Sequence, residues 1–190
     1  MEGDLVRLVA PRTGHFDLGT GYHGDLWLDL DALFLRPAEL RPHVRRLADR
    51  VREDRVDAVC GPLEGGAFLA YAIADLTGTH FLPAYRAGGS YRLPGVRGGI
   101  GGWRVAVVDD AVNAATAVRA CVERLRDAGA VPVAALALLA LGPATTMVGE
   151  TLRVPFYATS SVASQAWPAG QCPLCAVRVP LTDPAAADAG

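Results

Sequence analysis

Two adjacent carboxylates, Asp109 and Asp110, follow the apolar run Arg104-Val105-Ala106-Val107-Val108 and precede the small residues Asn113-Ala114-Ala115-Thr116. Paired carboxylates suit a ligand with neighbouring hydroxyl groups, and small residues let backbone N–H groups wrap a phosphate. Together they outline a sugar phosphate site. The β-branched run predicts a strand buried on both faces of a parallel sheet, and Val118, Cys121, Val122 and Leu125 carry helical spacing through Ala117 to Gly129. Ligands of open α/β sheets bind beyond the carboxyl ends of strands, where helix N-termini offer unpaired N–H groups to anions. The same residues also fit a plain strand-end turn or a helix cap.

A second glycine-rich turn precedes the acidic pair. Val56 to Cys60 predicts a short strand that breaks into Gly61-Pro62-Leu63-Glu64-Gly65-Gly66 before a helix from Ala67 to Leu76. Glycine permits close approach of backbone to a ligand, and the helix start suits an anion. Glu64 opposes that reading, because it repels an anion unless it holds a cation or turns away. After a strand from His80 to Tyr85, the segment from Arg86 to Trp103 holds seven glycines and three arginines, Arg86, Arg92 and Arg97. Such a composition does not pack a core, so it predicts either a mobile loop at a site or a plain linker.

Of the four cysteines, only Cys172 and Cys175 form a CxxC. One CxxC is half of a tetrahedral zinc site, and no second pair or spaced His pair lies near it in sequence. The pair therefore reads as free thiols, with a zinc shared across a dimer as the alternative. A thioredoxin-like redox pair would open a helix near the start of its fold, whereas this one stands near the end of the chain.

The elements that must position these residues fit a chain of 190 residues, 51% hydrophobic and 20% charged, long enough for one sizeable core. No apolar run reaches the length of a membrane span and Met1-Glu2-Gly3-Asp4 lacks a basic start, which places the protein in the cytoplasm. The net charge of −2 gives no basic surplus for nucleic acid. All 18 basic residues are arginine, so no lysine ammonium is available for proton donation. Leu18, Leu26, Leu28 and Leu30 alternate as in a strand among Gly14, Gly19, Gly21 and Gly24, the pattern of a hairpin. Pro37 to Asp54, with Leu40, Val44, Leu47 and Val51, predicts an amphipathic helix whose arginines are solvated. Val131 to Leu141 and Val154 to Tyr157 complete the strands.

The segment DDAVNAATA resembles the phosphoribosyl pyrophosphate (PRPP) motif of type I phosphoribosyltransferases, with Asn113 where that family has Thr and Ala115 where it has Gly. GPLEGG resembles the family's pyrophosphate loop. Gly14, Phe16, Leu18, Gly21 and Asp29 match the N-terminal signature of orotate phosphoribosyltransferases, while Thr20, Gly24 and Trp27 replace its two Ser and its Tyr. The tail from Trp167 through CPLCAVRVPL is similar to that of a shorter branch of the same family, with Arg178 in place of Gly. Where orotate enzymes carry an Arg after the long strand, this chain has Leu141-Gly142-Pro143 and no Arg before Arg153.

The resemblance implies one α/β domain over residues 1–190, with a central, mainly parallel sheet flanked by helices, a small N-terminal hood over residues 10–36 and a mobile loop over 86–103. It implies Mg²⁺-dependent transfer of phosphoribose from PRPP to a nitrogenous or aromatic small molecule, orotate by default, by a cytoplasmic homodimer of pyrimidine nucleotide synthesis. Asp109 and Asp110 would hold the ribose hydroxyls and, through them, the metal. Ala111, Asn113, Ala114, Ala115, Thr116 and Ala117 would hold the 5′-phosphate, and Leu63, Glu64, Gly65 and Gly66 the pyrophosphate. Arg86, Arg92 or Arg97 would meet its developing charge, and Phe16, Leu18, Thr20 and Gly21 would wall the base. The acidic pair is expected at an exposed strand end, and Ala115 at negative φ or in a widened loop. A PRPP-sensing protein of the same fold, without turnover, is the alternative that the altered motif and missing lysine suggest.

Overall fold

The structure is a computed structural model that describes residues 2–19, 21–88, 90–142 and 144–184, with side chains left out for 2–4 and 144–146. In chain order the elements are α1 (Glu2–Leu8), β1 (Arg12–Asp17), β2 (Tyr22–Trp27), α2 (Ala32–Leu35), α3 (Pro37–Glu53), β3 (Ala58–Pro62), α4 (Gly66–Thr77), β4 (His80–Ala87) and β5 (Ser90–Arg92). They continue with β6 (Arg104–Val112), α5 (Thr116–Asp127), β7 (Val131–Leu141), α6 (Ala144–Leu152), β8 (Phe156–Val162), β9 (Ala166–Pro168) and α7 (Pro173–Ala176).

The continuous apolar runs become the middle of a six-stranded sheet ordered β5-β4-β3-β6-β7-β8. β3 pairs in parallel with β4 and β6, β6 with β7, and β7 with β8, while β5 turns back antiparallel on β4. Side chains alternate across the strands, so each face of the sheet needs a cover of its own. On one face Ala58, Cys60, Val105 and Val107 pack with Val118, Cys121, Val122 and Leu125 of α5 and Val148 and Leu152 of α6. On the other, Val59, Ala106 and Val108 pack with Leu40, Val44, Leu47 and Val51 of α3 and Leu69 and Ile73 of α4.

A second, three-stranded antiparallel sheet runs β1-β2-β9, so the N-terminal hairpin is completed by a strand from near the other end of the chain. The expected N-terminal hood therefore has a C-terminal third strand. The segment after β9 returns to β1, where Thr182 bridges Phe16 and exchanges backbone hydrogen bonds with Asp17 and His15 at 3.0 and 2.8 Å.

Three local readings change. β6 runs on through Asp109 and Asp110 to Val112, so the acidic pair stands within a strand rather than in a turn after it. The segment from Arg86 to Trp103 does contribute to a core: β4 and β5 form a hairpin, Tyr91 and Ile100 are buried, and Leu93, Val96 and Trp103 pack beside them. Its five apolar residues offset what its glycines cannot bury. Arg50 of α3 is not merely solvated, since its guanidinium lies 3.9 Å from the centre of the Tyr157 ring and pairs with Asp54 at 2.9 Å. Among the described residues no helix is long and apolar enough to cross a membrane.

Candidate active site

The chain passes from β3 to β4 on one side and reaches β6 on the other, so the crossovers diverge between β3 and β6. At such a switch point the connections leave a crevice beyond the carboxyl ends of the strands. The turn after β3 and the end of β6 meet there. A Cβ on Gly65 would lie 2.6 Å from Oδ2 of Asp110, and one on Gly66 would strike the Val108 carbonyl oxygen and lie 3.0 Å from Cα of Asp109. Only glycine lets the loop come this close. The Gly66 N–H donates to the Asp109 carboxylate, the Asp110 N–H donates to Asp109 Oδ1 at 3.1 Å, and the Ala111 N–H donates to Asp110 Oδ1 at 2.6 Å.

The acidic pair is buried, Asp109 to 8% exposure and Asp110 to 9%, which corrects the expectation of an exposed strand end. Loss of hydration pushes the Asp110 carboxyl up to about 6, with the charge of Asp31 adding to it. Asp109 is held well above the ordinary carboxylate range, first by burial and then by the charge of Asp110. Among the described residues neither carboxylate has an ion-pair partner. Two desolvated oxygen donors without a cation fit a hard divalent ion or a row of hydroxyl donors.

Beyond the pair, Asn113 and Ala114 are exposed and lead to α5, whose N-cap is Ala115. No side chain caps this helix, so the N–H groups of its first turn, including those of Thr116 and Ala117, have no partner within the helix and could take an anion. Ala115 does not take the expected negative φ. It is buried at φ 55°, ψ 24°, in the left-handed region where a Cβ is strained.

Glu64 turns toward the β4–β5 hairpin. Its Oε1 accepts from Arg86 Nε at 2.8 Å and its Oε2 from the Tyr91 hydroxyl at 3.4 Å. The carboxylate raises the Arg86 guanidinium further above its ordinary value. Leu63 is tied to β4 through its N–H to the Ala84 carbonyl at 3.0 Å. Of the candidate cations, Arg86 is thus engaged by Glu64, Arg92 lies 5.2 Å from the centre of the Tyr85 ring, and Arg97 is exposed on the connection to β6.

The base-wall candidates separate. Leu18 joins a cavity of about 120 Å³ with Trp27, Asn113, Leu141, Ser164 and Gln165. Phe16 does not line it, because its ring turns toward Gly14, where a Cβ would lie 3.1 Å from Cζ. Gly21 serves the turn into β2, at φ 81°, with its carbonyl accepting from Ala169 at 2.9 Å. Thr20 lies outside the described residues, as does Pro143. Ser164 and Gln165 carry no sequence signal, since they reach the cavity through the connection from β8 to β9. Trp27 had one, its place at the signature's Tyr, and its indole N–H is buried without a partner among the described residues. Every described side chain of this cavity is uncharged, and neither Arg153 nor Arg178 lines it. The wider groove, about 650 Å³ between α3 and α4, holds none of the site residues.

Ala115→Gly is expected to relieve the left-handed strain and raise unfolding stability by about 0.5–1 kcal/mol, the Cβ penalty less glycine's greater chain entropy. Urea denaturation measures it. A loss of stability would mean that the Ala115 methyl group contributes more by packing than it costs in strain.

No protein-family model matches the chain. Orotate phosphoribosyltransferase of Caldanaerobacter subterraneus is 30% identical over 181 residues, spanning 94% of this chain and 92% of the relative. The fold superimposes on the orotate phosphoribosyltransferase of Aeropyrum pernix with a TM-score of 0.65 at 23% identity, covering 80% of this chain and 88% of that one. It superimposes equally on an adenine phosphoribosyltransferase of Thermoanaerobacter pseudethanolicus, with a TM-score of 0.68 at 15% identity, covering 85% of this chain and all of that one. A likeness at 30% identity sustained from end to end, on a phosphoribosyltransferase fold, makes this chain a member of the orotate phosphoribosyltransferase family.

Proposed function

We propose that this protein transfers the 5-phosphoribosyl group of PRPP to a nitrogen of a small, uncharged heterocyclic acceptor and releases pyrophosphate. The observation that carries the reading is the seating of Gly65 against Asp110, which joins the turn after β3 to the acidic end of β6 at one crevice. In the reaction the bond from the anomeric carbon to the pyrophosphate oxygen breaks, both electrons leave with pyrophosphate, and the acceptor nitrogen forms the new bond with its lone pair while its proton passes to the departing pyrophosphate or to solvent. Asp109 and Asp110 accept hydrogen bonds from the ribose hydroxyls. Ala111 and Asn113 through Ala117, at the N-terminus of α5, hold the 5′-phosphate, and Leu63 to Gly66 hold the pyrophosphate. Arg92 and Arg97 meet the charge that develops on the leaving group, joined by Arg86 when Glu64 releases it. Guanidinium stays ionised, so these groups stabilise charge and donate no proton to the chemistry.

Mg²⁺ belongs to this proposal. The desolvated carboxylates of Asp109 and Asp110 suit it and would help to hold it, and when bound it would supply charge neutralisation on the leaving group.

The acceptor reading rests on the cavity beside Leu18 and Asn113. Its uncharged lining offers nothing to offset a buried carboxylate, whose unpaired burial costs several kcal/mol or more. The orphan indole N–H of Trp27 would be satisfied by an acceptor's carbonyl oxygen or ring nitrogen. Turnover of orotate, uracil and other neutral heterocycles at saturating PRPP and Mg²⁺, read as pyrophosphate release, is expected to favour a neutral acceptor. Efficient use of orotate would overturn the acceptor reading, and PRPP binding without release on any acceptor would favour a sensor of the same fold.

The acidic pair gives a pH signature. The folded chain keeps a proton on Asp110 up to about pH 6, while the unfolded chain releases it near the ordinary carboxylate value of about 4. The folded state binds more protons across that window, so this contribution is full below about pH 4 and is lost as pH rises through about 6. The Tm advantage of Asp110→Asn over the natural protein should therefore grow between pH 4 and pH 7. PRPP affinity, which needs the ionised pair, should rise over the same range. A Tm difference independent of pH would remove the buried-carboxylate account.

A homodimer is also proposed. Phe68 and Tyr71 of α4 are exposed beside Phe34, and the groove they form is edged by Arg41, Arg45 and Asp75, a mixed-charge rim that a second copy can complement. Sedimentation at micromolar concentration is expected to give a dimer that Phe68→Glu dissociates. A natural protein that sediments as a monomer would end this part of the proposal.

A further inference from the structure

The segment after β9 has little to hold it by burial. Val177 is 71% exposed, Val179 and Leu181 are exposed as well, and none of residues 172–184 enters either core cluster. It nonetheless returns to β1. At the point of return stand four side chains that can bind a metal, His15, His23, Cys172 and Cys175, whose donor atoms all lie within 4.8 Å of one another.

The hairpin brings the two histidines together. Asp17 lies opposite His23 across the β1–β2 ladder, so His15, two residues earlier, shares its face as a diagonal neighbour. The start of α7 supplies the sulfurs, with Cys172 as N-cap and Cys175 one turn on. His15 Nε2 lies 3.2 Å from His23 Nδ1, 3.3 Å from Cys172 Sγ and 3.7 Å from Cys175 Sγ, and Cys175 Sγ lies 3.3 Å from His23 Nδ1. Zinc bonds of about 2.0–2.1 Å to nitrogen and 2.3 Å to sulfur at tetrahedral angles set the edges at roughly 3.3 Å for N to N and 3.5 Å for N to S. All four distances fall within a few tenths of an ångström of those edges.

The outer atoms agree. A carbonyl oxygen only accepts, so the 2.8 Å contact between His15 Nδ1 and the Val179 carbonyl puts the ring proton on Nδ1 and leaves Nε2 as a bare lone pair facing the sulfurs. This is the second hydrogen bond by which metal-ligating histidines are usually oriented. Two neutral imidazoles and two thiolates cancel the charge of a divalent ion, so the filled cluster is neutral. His15, His23 and Cys172 are buried, where an uncancelled charge would be costly. Both sulfurs are free thiols in the structure.

We propose that His15, His23, Cys172 and Cys175 form a structural zinc site that staples the C-terminal segment to the β1–β2 hairpin. Four protein ligands leave no open position, so the ion supports the fold and takes no part in group transfer. Binding releases the two thiol protons to solvent and forms two Zn–S and two Zn–N bonds, with no change of oxidation state. The inference stands apart from the proposed transferase reaction.

Elemental analysis of the full chain, purified without chelator or affinity metal, is expected to find about one zinc per chain. Cys172→Ser and, independently, His23→Asn should lose most of it. Cobalt exchanged into the natural protein should give the intense visible bands and sulfur-to-metal charge transfer of a tetrahedral thiolate site, a readout that needs no variant to fold. Removing zinc should lower Tm and expose the chain after Pro168 to proteolysis, with restoration on adding zinc back. Zinc far below one equivalent, zinc retained in both variants, octahedral cobalt spectra, or a Cys172–Cys175 disulfide detected by mass in protein kept reduced would each overturn the proposal.

Discussion

Everything at the crevice depends on the desolvation of two neighbouring carboxylates. Asp109 and Asp110 stand inside a strand that is buried on both faces, under a loop that approaches within reach of Asp110 only because residues 65 and 66 lack a Cβ. Three backbone N–H groups offset part of the charge, and no described side chain offsets the rest. Such a pair is poorly satisfied alone and well satisfied by a ligand that brings hydroxyl donors and a divalent cation. The strain resides where ligand binding would relieve it, which is the pattern expected of a site rather than of a core.

The same economy governs the basic side chains. A chain without lysine has only guanidinium for a pyrophosphate, and here the nearest on the hairpin, Arg86, is already held by Glu64 and lies within 3.5 Å of the Tyr91 hydroxyl. The side chains of that ion pair are 64% and 48% exposed, so the pair is weak in water and is open to exchange. An incoming anion competes with Glu64 for Arg86. The acidic residue that looks misplaced in an anion-binding turn thereby parks a cation beside that turn.

The sheet was legible because its strands are continuous apolar runs between turn signals, and its helices because Leu40 to Val51 and Val118 to Leu125 carry clean helical spacing. The acidic pair and the glycine turn were legible as partners only through the family likeness, since nothing in their separate spacing says that Gly65 touches Asp110. Burial of the pair was not legible, because Asp-Asp at the end of a run reads as a turn and the loop that covers it is 44 residues upstream by the numbering. The 86–103 segment was misjudged by composition. Its glycines are numerous, yet Tyr91 and Ile100 are buried. The histidines were invisible for a different reason. A ligand search near the cysteines in sequence finds nothing, while the partners stand 157 and 152 residues away and arrive through the antiparallel sheet.

That sheet is where the two ends of the chain meet the crevice. Leu18 follows β1 and Ala166 opens β9, and both line the small cavity that also contains Asn113, ahead of α5. The opposite wall, Leu141, is the half-buried last residue of β7 in the main sheet and packs against the core that α3 and α4 cover. One side of the cavity is therefore set by the core and the other by three short strands with little core of their own. Gly142 sharpens the contrast: it holds φ at 57°, and a Cβ there would lie 2.7 Å from the Ser164 carbonyl, so the end of β7 presses on the connection that leads to β9. The zinc proposed at the far side of the hairpin would hold the segment that follows β9 to β1, giving this wall a second anchor. Under the proposed function, the shape offered to an acceptor would follow from how firmly both anchors hold, while the half of the crevice that carries Asp109 and Asp110 is built by the main sheet.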